Sequence, residues 1–403
     1  MENGREIQMS RLDELNLKMH ALVVFRNLLD DEVLGKLPPL LEGTGKSIVE
    51  RTNDYAGFAS ALFREGQDLG GVILDRVLSD ENPYVTRFAR GEAIGPALET
   101  CLANELKVLE ELSRLSAREV RETIGYDGYL PEWTNGAWDF SAAYRSMLSR
   151  MSSTGYGIFA RNVMFSVRGG EIVPVGTPDA VRLSDLKGYD RERRAVIDNT
   201  VALLEGKPAA NALLYGDAGT GKSSTIKAVV NEYSSLGLRL IEIRRNQLME
   251  IPRVIESLKH NPLKFILFID DLSFSAGSEE VGALKAILEG TVSARTKRVV
   301  IYATSNRRHI VSERFSDRGD DDIHINETIQ EQVSLSQRFG LNVAFLKPDR
   351  ARYLEIVRGL ARDYGVSDKP DLETASERYA IERGGRSPRV ARQFVESLKR
   401  MEA

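Results

Sequence analysis

The stretch GDAGTGKSS, residues 216 to 224, sets glycines, a lysine and hydroxyls at the Gly-x4-Gly-Lys-Ser spacing of a phosphate loop. Gly216, Gly219 and Gly221 let the backbone curl, so that its N–H groups, with those of Asp217, Ala218, Thr220 and Ser224, point at phosphate oxygens. A helix beginning at the lysine would add its positive N-terminal end. Lys222 would reach the terminal phosphates, and the Ser223 hydroxyl would ligate Mg²⁺.

A second stretch, FILFIDDLSF, residues 265 to 274, is an apolar run that ends in two carboxylates. Adjacent acids at the end of a buried strand repel and lose solvation, so they serve stability poorly unless something binds there. Two segments after a phosphate loop, Asp270 is expected to hold the Mg²⁺, and Asp271 stands where a carboxylate can orient an attacking water. A third, IYATSNRRH, delivers Thr304, Ser305 and Asn306 to the same sheet edge, where Asn306 could hydrogen-bond the terminal phosphate or its water.

These side chains need a sheet to hold them, and the pattern provides one. From about residue 180 the chain alternates: RERRAVIDNTVALLEG as helix, NALLYG as strand, GKSSTIKAVVNEYSSLG as helix, LRLIEIRR as strand. It continues with IPRVIESLKHNP as helix, KFILFID as strand, EVGALKAILEGTVSAR as helix, then RVVIYATS and LNVAFLKP as strands. That order predicts an α/β domain over 181–347: a five-stranded parallel sheet with helices on both faces. After Pro348 only helices are predicted, which gives a helical lid over 348–403. Residues 1–180 read as a mostly helical domain. Leu98, Leu102, Leu106 and Leu109 make an apolar stripe, GYDGYLPEWTNGAWDF an ordered loop, and GIFARNVMFSVRGGEIVPV a β-rich connector with a hairpin at RGG.

Composition narrows the function classes. The chain has 403 residues, 42% hydrophobic and 28% charged, with a net charge of −4, which argues against a nucleic-acid grip spread over the whole surface. Cys101 is the single cysteine and the four histidines are scattered, so neither an internal disulfide nor a Cys/His zinc cluster is expected. The polar, acidic start is not a secretory signal and no apolar run approaches a membrane span. A cytoplasmic protein without membrane contact is expected.

With these motifs in place, residues from about 183 to 403 resemble an AAA+ ATPase module, and within it the bacterial group catalogued as domain of unknown function 815. The likeness rests on LKGYDRERRAVIDNTVALLEGKPAANALLYGDAGTGKSS, FIDDLSF, ALKAILEG, IYATSNRRHI and SLSQRFGL; the last, with the double aspartate, is also similar to the replication-initiator and helicase-loader branch. The resemblance implies an AAA+ P-loop core with a helical lid, ATP and Mg²⁺ as ligands, and assembly into a ring or filament. It implies that Gly188 and Tyr189 lie on the adenine side, that Arg338 is the arginine finger of a neighbouring subunit's site, and that Arg389 on the lid senses the terminal phosphate. Many members carry Glu where this chain has Asp271, which implies slower, switch-like hydrolysis. Pro388 replaces a smaller residue, which a first helical turn tolerates.

Three functions are compatible with these features. The favoured one is an ATPase that hydrolyses Mg·ATP between subunits to remodel a protein partner. The others are a nucleic-acid loader, suggested by SQRFGL and the basic NRRH, and a slow ATP-binding switch or scaffold.

Overall fold

The computed structural model describes residues 10–42, 45–275, 279–293, 298–306, 311–312, 337–367 and 369–402. They fall into two units that divide between Arg161 and Asn162.

The first unit is helical. Its α-helices are α1 (Arg11–His20), α2 (Leu37–Leu41), α3 (Ile48–Glu65), α4 (Leu69–Ser79), α5 (Pro83–Arg90), α6 (Pro96–Ser113), α7 (Ala117–Ile124), α8 (Phe140–Ser149), α9 (Met151–Thr154) and α10 (Ile158–Arg161). The predicted leucine stripe lies on α6, where Leu102, Leu106 and Leu109 are buried and Leu98 packs half-buried beside them. Ser116 ends that stretch early, since its side chain and Glu119 form a reciprocal cap that starts α7. Glu105, on the same helix, is buried and accepts the N–H groups of Val23, Val24 and Phe25 at 2.9–3.1 Å, pinning an irregular stretch to α6.

The Gly/Pro/Trp-rich loop is ordered, as predicted, by polar ties. Asp68 caps α4 through Gly70 N at 3.0 Å, and also accepts Gly136 N at 2.7 Å and Trp138 Nε1 at 3.2 Å. Trp133 is buried and donates to Leu115 O at 2.8 Å.

The second unit is built on a seven-stranded sheet. Its strands are β1 (Met164–Arg168), β2 (Glu171–Pro174), β3 (Ala212–Gly216), β4 (Leu238–Glu242), β5 (Lys264–Ile269), β7 (Val299–Ser305) and β9 (Leu341–Phe345), in the order β2-β1-β4-β5-β7-β3-β9. Two short strands, β6 (Phe274–Ser275) and β8 (Val311–Ser312), pair separately. The five predicted strands are all present and parallel, running β4-β5-β7-β3-β9. The sheet is wider than predicted by β1 and β2. They form the hairpin at RGG, with Gly169 and Gly170 both at positive φ, the geometry of a two-residue turn that matches strand twist. β1 pairs in parallel with β4, so the stretch expected to close an N-terminal domain at 180 belongs to the sheet, and the boundary moves to 161/162.

Helices α11 (Asp190–Leu204), α12 (Lys222–Tyr233), α13 (Ile251–Leu258) and α14 (Glu279–Ser293) connect the strands, and α15 (Arg350–Tyr364), α16 (Leu372–Glu382) and α17 (Pro388–Glu402) follow the last one. β5 is buried from Phe265 to Ile269 and β7 along its whole length, and both are apolar until β7 ends in Thr304 and Ser305. The three C-terminal helices share one core with the sheet: Tyr353, Val357, Phe394 and Val395 join Leu214, Ile266 and Phe345.

The Asp68 ties should carry measurable stability. Burial opposes its ionisation, but the donors of Gly136, Trp138, Gly71 and Gly70 outweigh this and hold its carboxyl below the usual value. Its contribution is therefore present above the unfolded-state pKa of about 3.9 and is lost as pH falls through the lower folded value. Asp68→Ala should destabilise the first unit by about 2–3 kcal/mol at neutral pH, with the difference shrinking below about pH 4. Both tryptophans of the chain lie in this loop, so denaturant titration followed by intrinsic fluorescence reads this unit.

Candidate nucleotide site

The phosphate loop joins β3 to α12, and its shape is set by close approach. A Cβ on Gly216, at φ 127°, would stand 2.3 Å from Phe345 O of β9, so only glycine fits. Asp217 N donates to Phe345 O at 3.1 Å, and Asp217 Oδ2 accepts Lys347 N at 2.7 Å. The loop is thus fixed to the end of the last strand.

Inside the loop Lys222 is buried, its Nζ donating to Gly216 O at 2.9 Å, Asp217 O at 2.8 Å and Asn306 Oδ1 at 3.0 Å. Burial pulls its ammonium below the usual lysine value, against the pull of Asp217, Asp271 and Asp270. Asn306 Nδ2 in turn donates to Asp271 Oδ1 at 2.7 Å. Lys222, Asn306 and Asp271 form one hydrogen-bonded chain across the ends of β3, β7 and β5.

The second carboxylate has different partners. Ser223 Oγ donates to Asp270 Oδ1 at 2.6 Å, Thr304 Oγ1 donates to the same oxygen, and Asp271 N lies 3.1 Å from it. All three converge on Oδ1, which leaves Oδ2 open. A hydroxyl and a carboxylate side by side are hard oxygen donors, the set that suits Mg²⁺ held with phosphate oxygens and water. Among the described residues Asp271 is one of two non-glycine residues at positive φ, 50°, and its N–H also donates to Thr304 Oγ1 at 2.9 Å.

The lid closes over the loop. Arg389 N donates to Gly219 O at 3.1 Å, and a Cβ on Gly219 would stand 3.2 Å from Arg389 Cβ. Between loop and lid lies a cavity of about 470 Å³, within the range of small-molecule sites. Its wall includes residues 218–225, Asp270, Asp271, Thr304, Asn306, Pro388 and Arg389, with Asp185, Leu186, Lys187, Arg193, Ile356, Leu360 and Arg392.

Most of the residues singled out from sequence therefore meet in one place. Gly216, Asp217 and Ser305 are not part of the wall although their neighbours are, and three more stand away from it. Gly188, at φ 69°, packs against the lid, where a Cβ would come 2.9 Å from Ile356 Cγ1. Tyr189 is buried in the core, its ring stacked on Phe345 at 5.4 Å with the Arg352 guanidinium 4.7 Å from its centre, and its hydroxyl donates to Leu346 O. Burial pushes its phenol up to about 12. Gly188 and Tyr189 thus stand behind the wall, while Leu186 and Lys187 just before them face the cavity. Arg338 pairs with Glu289 of α14 instead of lining the cavity. The basic residues after Asn306 lie outside the described residues.

Sequence reasoning missed Asp185, Leu186, Lys187, Arg193, Ile356, Leu360 and Arg392. Only LKGYD carried a signal for this part of the wall, through its first two residues, Leu186 and Lys187.

Among curated proteins, the chain is 32% identical over 117 residues to the replication factor C large subunit of Staphylothermus marinus, which covers 27% of this chain and 26% of that one. Among solved structures it is similar to the Thermotoga maritima RuvB Holliday junction branch migration motor, with a TM-score of 0.37 at 16% identity over 55% of this chain and 65% of that one. A variant of the same motor gives 0.38 over 55% and 66%. The chain thus spans about a quarter of the curated relative's length and under two thirds of the motor's. The family described as "Protein of unknown function (DUF815)" matches residues 160–401, well over half of the chain and the whole of the site. With its phosphate loop, paired aspartates and C-terminal helices gathered on one mostly parallel sheet, the chain belongs to the DUF815 family.

Proposed function

We propose that this protein binds and hydrolyses Mg·ATP between subunits of a homo-oligomer and uses the cycle to remodel a protein partner. The observation that carries the reading is the chain Lys222–Asn306–Asp271, which joins the phosphate loop to a carboxylate inside a cavity bounded by the lid. Three strand ends are held in register by these bonds, as a site for in-line phosphoryl transfer to water requires.

In this reading the backbone N–H groups of residues 218–224 hold the α- and β-phosphates. Lys222 exchanges its carbonyl partners for β- and γ-phosphate oxygens. Ser223 and Asp270 would hold the Mg²⁺, which when bound would neutralise charge on the transferring phosphoryl group. Asp271, with Oδ1 fixed by Asn306, orients a water through its other oxygen, and attack on the γ-phosphorus releases ADP and phosphate. Arg389 contacts the γ-phosphate from the lid. Arg338 acts on the site of the next subunit, so turnover requires assembly.

A nucleic-acid loader is the second reading, favoured by the 117-residue likeness to a protein named as a replication factor C subunit. Binding to DNA that weakens steeply with salt would select it over a protein remodeller.

Lys222→Ala should abolish tight Mg·ATP binding by calorimetry, because one charge and its phosphate hydrogen bonds are lost together; unchanged affinity would remove the phosphate-loop assignment. Asp271→Asn should keep Mg·ATP binding and slow hydrolysis, whereas Asp270→Asn should weaken the metal site, so that more Mg²⁺ is needed. The reverse pattern would overturn this division of roles.

Arg338→Ala should bind ATP nearly normally yet lose most turnover, since arginine fingers in other phosphate-loop enzymes accelerate hydrolysis by roughly 10³ to 10⁵. Mixing it with Lys222→Ala protein should restore some activity, because one interface then pairs an intact loop with an intact finger. No recovery in samples shown to co-assemble would count against action in trans.

A further inference from the structure

We infer that Arg193 recognises the nucleoside end of the bound nucleotide, donating from its guanidinium to ring-nitrogen acceptors of a purine. The inference rests on the nucleotide reading of the cavity and adds a residue that none of the phosphate-site motifs contains.

Arg193 is 8% exposed, lies on α11 and lines the cavity. A buried guanidinium needs partners, because its desolvation is costly. Its ion pair is with Asp190, three residues back on the same helix, where Nη2 meets Oδ1 at 2.6 Å. The Asp190 side chain is 83% exposed, so that pair is a weak, solvent-screened one. It engages one nitrogen of a group that carries five donors. What remains accessible of an otherwise buried side chain opens on the cavity.

The position selects the nucleoside rather than the phosphates. Arg193 N donates to Tyr189 O at 2.9 Å, so the residue stands one helical turn from the segment 185–189. That segment supplies Leu186 to the wall, and Gly188 seats it against Ile356 of α15, with Leu360 one turn further on. Leu186, Ile356 and Leu360 offer apolar surface suited to the faces of a base. The phosphate end has its own cations in Lys222 and Arg389. A group with donors only, placed beside an apolar slot, matches the unprotonated ring nitrogens of a purine, which present acceptors in the ring plane.

The test compares Mg·ATP with Mg·tripolyphosphate, which lacks the nucleoside, on the full chain by calorimetry. Arg193→Ala and Arg193→Met should each weaken ATP roughly ten- to hundredfold, the loss of a charged hydrogen bond. Tripolyphosphate affinity should change by less than about twofold, on the same premise that the bond goes to the nucleoside. Arg193→Met keeps the apolar stem and separates lost recognition from lost packing; ligand-free melting should match that of the wild type. Arg193→Gln, which retains a donor, should recover part of the ATP affinity.

Equal losses for ATP and tripolyphosphate would make Arg193 a phosphate contact and overturn the proposal. Unchanged ATP affinity in both variants would leave it a structural residue. Wild-type protein that binds tripolyphosphate as tightly as ATP would also overturn it while sparing the phosphate loop. Binding of neither ligand would remove the nucleotide reading itself.

Discussion

Lys222 sits where the demands on this module meet. Its ammonium lies in a loop whose backbone must curl around phosphate, and a curled loop turns carbonyls inward as well as N–H groups outward. The carbonyls of Gly216 and Asp217 take two of its protons and the Asn306 side chain the third, so the charge is satisfied without a carboxylate contact. A direct salt bridge would have to be broken before phosphate could bind, whereas neutral acceptors surrender the ammonium at lower cost. Burial that pulls its protonation equilibrium down is tolerable because three aspartates nearby pull the other way.

The same loop is coupled to the lid through very few atoms. Residues 345–347 are gripped on one side by Asp217, through Phe345 O and Lys347 N, and on the other by Tyr189, through its ring and hydroxyl. Arg352, at the start of the first lid helix, covers the outer face of that ring and pairs with Glu192 of α11. The lid chain therefore leaves the sheet from a point held by the phosphate loop itself. Packed and hydrogen-bonded groups thus join Asp217 to α15, and Arg389 N, at the start of the last helix, returns to Gly219 O.

How much of this was readable from residue order depended on whether the physics was local. β5 and β7 were legible because a strand buried on both faces reads as a largely apolar run, and residues 216–224 because a phosphate loop is contiguous. β1 and β2 were recognised as strands, but a half-buried hairpin carries no mark of which sheet it joins; the pairing of Met164 with Leu240 decides that. Arg193 and Arg392 carry no mark in the sequence, since the cavity wall they share joins positions some two hundred residues apart in the chain. The resemblance pointed to Tyr189 by its place in LKGYD, but the order of residues could not show that its ring packs on Phe345 and Arg352.

The adjacent aspartates at the end of β5 show how one backbone angle resolves an electrostatic conflict. If the strand continued, Asp270 and Asp271 would point to opposite faces, one of them into the helical layer and away from the loop. The chain instead turns at Asp271 into the left-handed region, φ 50°, which costs a non-glycine residue on the order of 1 kcal/mol but is tolerated best by Asp and Asn. Its N–H is repaid at once by Thr304 Oγ1 and Asp270 Oδ1. The two carboxylates then diverge within one site, Asp270 to Ser223 and Asp271 to Asn306, with the Lys222 charge acting on both. Thr304 is the residue that makes the turn workable: its hydroxyl accepts from Asp271 N and donates to Asp270 Oδ1, so a single side chain on β7 fixes both aspartates. A threonine at that place is consequently as much a part of the site as the acids it orients.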